Sequence, residues 1–227
     1  EKGFAHLDNI IRDARSPVTK KIHQDIRRKF RAIGDYNFDS LLRSNTSTAG
    51  EEKPRLYFFQ KYVIYEVLLA MERGEPGIII TLEQGLGKTL IALAILNYVK
   101  QAGVILTPNA VVSTWTEIDE QFFPTTNLEV LEGSFRDRDE ALRTLKRNQV
   151  VTNIEFTREM PAMRRQLLSR PRGILVVDEA GYLQSRKSHQ SEGTRQLQAG
   201  FKLLLTATPP VGSSLGHFLS FLNPKLG

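Results

Sequence analysis

Two short clusters in this sequence carry chemistry by residue type and spacing: Gly85-Leu86-Gly87-Lys88-Thr89, and much further along Asp178-Glu179. The first has the makeup of a phosphate-binding loop. Gly85 and Gly87 permit backbone angles, and a close phosphate approach, that a Cβ would obstruct. Backbone N–H groups at the start of the next helical pattern face an anion, the Lys88 ammonium reaches β and γ phosphates, and the Thr89 hydroxyl can sit on Mg²⁺. Leu82 stands where the strict loop pattern has its first glycine, so the reading rests on Gly-x-Gly-Lys-Thr and its setting between a buried strand pattern and a helix. A glycine turn that binds nothing is the plain alternative, and that setting argues against it.

Asp178 closes the apolar run Ile174-Leu175-Val176-Val177. An Asp at the tip of a buried strand can hold Mg²⁺, usually through water, beside the Thr89 hydroxyl. Glu179 points differently and can orient or deprotonate an attacking water. By themselves two acids after an apolar run fit a surface turn equally well; the phosphate loop upstream favours the chemical reading.

These residues need a scaffold, and the apolar pattern supplies one. Ile78–Ile80 suits a strand buried on both faces, and Leu90–Gln101 a helix packed on a sheet. Helices are expected over Tyr57–Arg73, through Trp115 to Phe122, over Asp137–Arg147 and over Glu155–Ser169. Further strands are expected at Val104–Leu106, Leu128–Leu131, Val150-Val151, Ile174–Val177 and Leu203–Leu205. Alternating units with strongly apolar strands imply an α/β fold, a parallel sheet covered by helices, whose ligands gather at the carboxyl ends of the strands. Trp115, with Val111, Val112 and Ile118 as apolar neighbours, reads as core rather than as a stacking platform.

The whole chain limits what else is plausible. Its 227 residues can bury a substantial core, and its formal charge of +6 has the sign expected for a nucleic-acid partner without deciding one. No apolar stretch approaches the roughly twenty residues that span a bilayer, so no membrane role is expected. Absence of Cys excludes disulfides and thiolate metal sites, and His6, His23, His189 and His217 lack ligand spacing. Glu1 in place of Met points to a fragment or a processed product. Residues 1–43 read as a basic helical extension, with two short amphipathic patterns around Ser16-Pro17 and a basic face on Val18–Phe30. Residues 44–53, small and polar, read as a linker, and 54–227 as the α/β domain.

The order Gly85–Thr89, Asp178-Glu179-Ala180, Leu205-Thr206-Ala207-Thr208-Pro209 resembles the first motor lobe of the superfamily-two helicases. Within these it is most similar to the Swi/Snf-type DNA translocases: Arg55-Leu56 with Gln60, Glu83 before the loop, Pro108 followed by Val111-Val112-Ser113 and Trp115, and Leu215–Asn223 are similar to that family's motifs. The likeness covers roughly Pro54–Gly227. It implies a RecA-like fold with helices on both faces of the sheet, ATP and Mg²⁺ as cofactors, and Lys88, Asp178 and Glu179 as the hydrolytic residues. Gln60 and Gly85, Leu86, Gly87, Lys88 and Thr89 would bind nucleotide, Gln60 reading adenine. Thr89 and Asp178 would hold the metal, and Thr206 and Thr208 would sense the nucleotide state. Thr107, Pro108, Asn109, Thr152 and Asn153 would lie against one strand of duplex DNA, on its backbone and without sequence preference. A second RecA-like lobe of the parent chain, bringing arginine fingers, would complete the site, so this segment alone is expected to hydrolyse ATP weakly. Chromatin proteins as partners and a nuclear location, or a cytoplasmic one in a prokaryote, follow from the same likeness. Gly181 stands where a His often follows Asp-Glu-Ala, Leu82 and Gln84 depart in the loop, and Val211-Gly212 depart after the third motif; these put coupling, not binding, in question. Two other readings stay open: a lobe of an RNA helicase or restriction-type translocase, and a decayed helicase-like interaction module.

Overall fold

The computed structural model describes residues 21, 25, 28–29, 31–43, 54–124, 128–144, 149–157, 168–184 and 188–224. The chain forms two compact units, residues 1–37 and 38–227. In the first, residues 31–35 are helical. The amphipathic pair expected around Ser16-Pro17, most of the basic face on Val18–Phe30 and the 44–53 linker lie outside the described residues.

The second unit is a six-stranded sheet in the order β1-β6-β5-β2-β4-β3. Its strands are β1 (Gly77–Thr81), β2 (Gly103–Thr107), β3 (Leu128–Leu131), β4 (Gln149–Asn153), β5 (Arg170–Val177) and β6 (Ala199–Thr206). Every neighbouring pair is parallel, so all six carboxyl ends meet at one edge. α1 (Phe58–Glu72) precedes the strands, α2 (Lys88–Val99), α3 (Val112–Phe122), α4 (Phe135–Thr144) and α5 (His189–Arg195) run between them, and α6 (Ser213–Leu222) follows. β2 is buried along its whole length. Because strand side chains alternate, Val104 and Leu106 share one face with Phe218 and Phe221 of α6 in a single core cluster. The opposite face carries Ile105 and Thr107, and there Trp115 of α3 donates its indole N–H to the Thr107 hydroxyl at 3.3 Å. Both faces are thus covered, which is why the strands are apolar runs rather than alternating ones.

Several elements differ from the apolar pattern for identifiable reasons. α2 starts at Lys88, ahead of its first apolar residue, and stops at Val99 because Lys100 turns left-handed (φ 56) and caps the Leu96 carbonyl. β5 begins at Arg170, ahead of the expected Ile174, through a register shift between Arg170 and Ile174 next to Pro171, whose lack of N–H hides a strand from pattern reading. The stretch after β4 opens as a 3₁₀ turn, Ile154–Thr157. The remainder of the helix expected over Glu155–Ser169 lies almost wholly outside the described residues, as do residues 145–147 of the helix that ends as α4. Helix α5 carries no apolar periodicity at all.

Residues 38–43, read from composition as part of the extension, are tied to the sheet-bearing unit. The Phe38 ring is fully buried and meets Tyr98 edge-on at 5.6 Å. Asp39 accepts from the Leu56 N–H at 2.9 Å and pairs with Lys61 of α1. Arg43 donates its backbone N–H to the Phe122 carbonyl and its guanidinium to that of Phe123, at 2.6 and 3.1 Å. This short segment therefore straps the start of α1 to the end of α3.

Candidate nucleotide site and adjoining surface

Strand order decides which loops meet. β1, β6 and β5 are neighbours, so the loop after β1, the Thr206–Pro209 turn after β6 and Asp178-Glu179 after β5 stand side by side. The register places Thr81 opposite Thr206, and the Leu82 N–H donates to the Thr206 carbonyl at 3.2 Å. From β1 to β5 is two strand spacings, about 10 Å.

In the glycine loop, Gly85 and Gly87 hold φ of 81° and 77°, where an L side chain is strained. Gly87 is the residue before α2, and a Cβ on it would come 2.6 Å from the Gln60 side-chain nitrogen. That contact reflects a brace. Gln60, almost fully buried on α1, accepts from the Tyr57 N–H at 2.9 Å and donates from Nε2 to the Leu86 carbonyl at 3.3 Å. One amide hydrogen and one oxygen lone pair of Gln60 remain beyond these two bonds. Lys88 reaches back over the loop, its ammonium donating to the carbonyls of Leu82 and Glu83 at 2.9 and 3.2 Å. Thr89 follows in the first turn of α2, half-buried.

Asp178 is held from three sides. Its Oδ2 accepts from the Thr107 hydroxyl at 2.9 Å and from Trp115 Nε1 at 3.2 Å, and its Oδ1 from the Glu179 N–H at 2.9 Å. Oδ2 is thereby saturated, while Oδ1 keeps a lone pair. The reading of Trp115 as core agrees with its zero exposure, but the indole also aims the acid. Glu179 is exposed and left-handed (φ 45), a costly conformation for a residue with a Cβ and one that concentrates where surroundings over-determine the backbone. Among the described residues no three His, Cys, Asp or Glu side chains converge as a metal cage. The oxygen donors of Thr89 and Asp178 fit Mg²⁺, which takes one or two carboxylates plus phosphates and waters. On β6, Thr206 is buried and its hydroxyl closes a turn on Thr208, donating to the Thr208 carbonyl at 3.1 Å and accepting from its N–H at 3.2 Å.

The residues assigned to nucleic acid divide into two sets. Thr107 and Thr152 are fully buried, with hydroxyls committed to Asp178 and to the Leu131 carbonyl, the latter at 3.0 Å. Pro108 and Asn109 lie nearer the surface, and Asn109 accepts from the Asn153 amide at 3.0 Å. Asn153 in turn caps the following 3₁₀ turn by accepting from the Phe156 N–H at 2.9 Å. Pattern reading missed Arg138 here. Its guanidinium donates to Asn153 Oδ1 at 3.1 Å and to the Gly133 carbonyl, also at 3.1 Å, and lies 4.9 Å from the Phe156 ring centre. Burial draws Arg138 below its ordinary pKa, and the carboxylates of Glu132 and Glu155 oppose that. α4, which carries it, opens with a reciprocal cap: the Ser134 N–H donates to Asp137 and the Asp137 N–H to the Ser134 hydroxyl. The Ser134 hydroxyl and N–H hold the Asp137 carboxyl below its usual pKa. That Ser-x-x-Asp spacing marks the start of α4 at Phe135, ahead of the Asp137 at which the expected helix begins.

Residues 59–226 match the family model of the SNF2-related domain. The chain belongs to that family. Among curated SNF2 relatives, "Chromodomain-helicase-DNA-binding protein 1-like" of Danio rerio is 31% identical over 163 residues, covering 68% of this chain and 16% of the relative. "ATP-dependent helicase FUN30" of Saccharomyces cerevisiae is 27% identical over 156 residues, 63% of this chain and 14% of its own length. "ISWI chromatin-remodeling complex ATPase ISW2" of the same yeast is 27% identical over 172 residues, covering 70% and 15%. The chain thus spans only 14–16% of the length of these relatives. A solved structure, "Sulfolobus solfataricus SWI2/SNF2 ATPase core in complex with dsDNA", superposes with a TM-score of 0.65 at 23% identity over 76% of this chain and 36% of that one. At that identity the likeness establishes the fold: the SNF2 unit described above has the RecA-like α/β architecture that the sequence pattern and motif order imply.

Proposed function

We propose that residues 54–227 are the ATP-binding first motor lobe of a DNA translocase or chromatin remodeller, preceded by a basic extension. The observation that carries this reading is the buried, triply bonded Asp178, set two strands from the Lys88 loop with the Thr206–Thr208 turn between them. Gly85, Leu86 and Gly87 present backbone N–H groups to the triphosphate, and Lys88 exchanges its two loop carbonyls for phosphate oxygens. Gln60 keeps the loop in shape and offers its remaining donor and acceptor to the adenine edge. Thr89 and Asp178 would hold Mg²⁺, which would supply positive charge to offset that of the phosphates. Glu179 orients the attacking water and takes its proton. Thr206 and Thr208 register the state of the nucleotide through the carbonyl that Thr206 shares with Leu82.

Pro108, Asn109 and Arg138 form the surface we assign to one backbone strand of duplex DNA, where a short amide and a cation position without reading sequence, and the buried Asn153 holds Asn109 and Arg138 in place. Thr107 and Thr152 support that surface from within. A second RecA-like lobe of the parent protein closes the site and supplies arginine, worth on the order of a thousandfold or more in rate. Chromatin proteins as partners and a nuclear location complete the proposal.

Two measurements test it. Equilibrium binding of ATP with Mg²⁺ to this chain and to Lys88→Ala should show affinity in the first and its loss in the second; no affinity in either favours an interaction module instead. Turnover by the full-length protein should rise with duplex DNA. A rise with RNA and none with DNA would move the assignment to an RNA motor.

A further inference from the structure

Helix α5 carries no apolar period, and its last three residues touch three of the segments that leave the carboxyl edge, those after β4, β5 and β6. Gly193 lies so close to the turn after β4 that a Cβ would stand 2.0 Å from the Thr157 carbonyl oxygen. The Thr194 hydroxyl, fully buried, meets Thr157 Oγ1 at 3.3 Å and Tyr182 Oη at 3.0 Å. Arg195 donates through Nη2 to the Leu183 carbonyl, in the turn after Asp178-Glu179, at 3.0 Å, and to the His217 carbonyl of α6 at 3.1 Å. Its guanidinium also lies 5.5 Å from the Phe221 ring centre. Three consecutive residues therefore bind the turn below Asn153, the turn below the acidic pair, and the helix that follows Thr206–Thr208.

The hydroxyl chain has a direction. Thr157 spends its one hydroxyl hydrogen on the Ile154 carbonyl at 2.8 Å, so it accepts from Thr194. Thr194, having given its hydrogen to Thr157, must accept from Tyr182. The order Tyr182 to Thr194 to Thr157 to the Ile154 carbonyl is thus set, and burial, which pushes the Tyr182 phenol above its ordinary pKa, keeps its proton in place. Loss of the Thr194 hydroxyl would break its bonds to both Tyr182 and Thr157, whereas loss of the Tyr182 hydroxyl would break the first bond alone and leave the buried Thr194 short of one donor. Gly181 brings no side chain to this region and has no neighbour within 4 Å of where a Cβ would stand. The turn after the acidic pair is instead anchored through Tyr182, the Leu183 carbonyl and a contact between the Gln184 carbonyl and His217 Nδ1.

We propose that Thr194 and Arg195 are positioning residues that link the nucleic-acid surface after β4 to the hydrolytic turn after β5 and to α6, so that DNA contact sets the placement of Glu179. The proposal rests on the reading of the site as an ATPase. Displacement of Asn109 and Asn153 by a bound strand would act on the Ile154–Thr157 turn, which Asn153 caps, and would pass through Thr194 to Tyr182. Arg195 holds the same turn against α6.

The test uses the full-length protein and compares basal turnover, duplex-stimulated turnover, ATP affinity and DNA affinity for the wild type, Thr194→Val, Thr194→Ser, Arg195→Lys and Tyr182→Phe. Thr194→Val and Tyr182→Phe should lower DNA stimulation about fivefold to tenfold, the rate equivalent of one or two hydrogen bonds. Basal turnover and both affinities should stay within about twofold, a difference well under one hydrogen bond. Thr194→Ser, which keeps the hydroxyl, should restore stimulation, and Arg195→Lys, whose shorter side chain ends before the Nη2 position that donates to both carbonyls and lacks the bond from Nε to Ser191, should not. If Thr194→Val does not fold, Tyr182→Phe decides, because it removes only the first hydroxyl of the chain. Full stimulation in Tyr182→Phe and Arg195→Lys overturns the link, as does a parallel fall in basal and stimulated rates. A wild-type protein without ATP affinity overturns the reading of the site itself and takes this proposal with it; normal ATP affinity with undiminished stimulation removes this proposal alone.

Discussion

The glycine loop and the Asp178 cluster flank the same candidate site but are built in opposite ways. Lys88 finds its hydrogen-bond partners five and six residues back along the chain. Asp178 finds two of its three in residues 71 and 63 positions away, Thr107 and Trp115. The loop is half-exposed and shaped by two left-handed glycines; the acid is buried and shaped by packing between two layers. A local device can be damaged without harming the fold, whereas a long-range one cannot be touched without disturbing both chemistry and core.

Substitutions can break or sharpen that contrast. The largest effect is expected for Lys88→Ala: turnover of the full-length protein should fall about a hundredfold to a thousandfold, as when a main charge-stabilising donor is lost. Its thermal unfolding should stay near that of the wild type, since a partly exposed side chain is removed. A large drop in stability would erase the distinction between the two regions. At the acid, Trp115→Phe keeps most of the packing and deletes the indole donor. Stability should fall by about 1–3 kcal/mol from the unsatisfied buried group, and turnover about tenfold, with ATP affinity kept. Thr107→Val tests the other donor to the same oxygen and should follow it at smaller size.

Within the loop the two glycines should separate. Gly87→Ala meets both a left-handed backbone and the Gln60 amide, and should cost more than the about 1–2 kcal/mol of conformation alone, while lowering ATP affinity. Gly85→Ala has no neighbour within 4 Å and should show only the conformational part. Equal losses, read by urea unfolding, would argue against the Gln60 brace. The smallest effect is expected at Arg138→Met, where DNA affinity should weaken about twofold to fivefold with a shallower salt dependence, and basal turnover should hold.

The same contrast separates elements written in the local pattern from those that packing creates. The strands at Val104–Leu106, Ile174–Val177 and Leu203–Leu205 are evident because strands buried on both faces leave continuous apolar runs, and each lies within the observed element. Helix α1 differs from its expected bounds by one residue at each end. By contrast, α5 buries Ser191, Gly193 and Thr194, small residues whose partners lie mostly elsewhere: Ser188 and Arg195 for Ser191, Thr157 and Tyr182 for Thr194, and the Thr157 backbone beside Gly193. No hydrophobic period marks such a helix, so its position beside three motif-bearing segments could not be read. Thr107 and Thr152 look like surface donors in sequence because hydroxyl residues after a strand usually are. Only the sheet order, which lays β2 between β5 and β4, and β4 between β2 and β3, turns them inward.

By itself the sequence determined the parallel α/β class and the likeness to the Swi/Snf-type family that the SNF2-related domain match bears out, and it singled out Gly85–Thr89 and Asp178-Glu179 as candidates. Each depends on neighbours within a few residues or on a repeating apolar pattern, and such information is written along the chain. Tertiary structure alone decided that Gln60 braces the loop, that Thr107 and Trp115 aim Asp178, that Arg138 joins Asn153, and that Gly193–Arg195 tie three segments together. Those contacts depend on strand order and on which face a side chain meets, and neither is set by residues close in sequence.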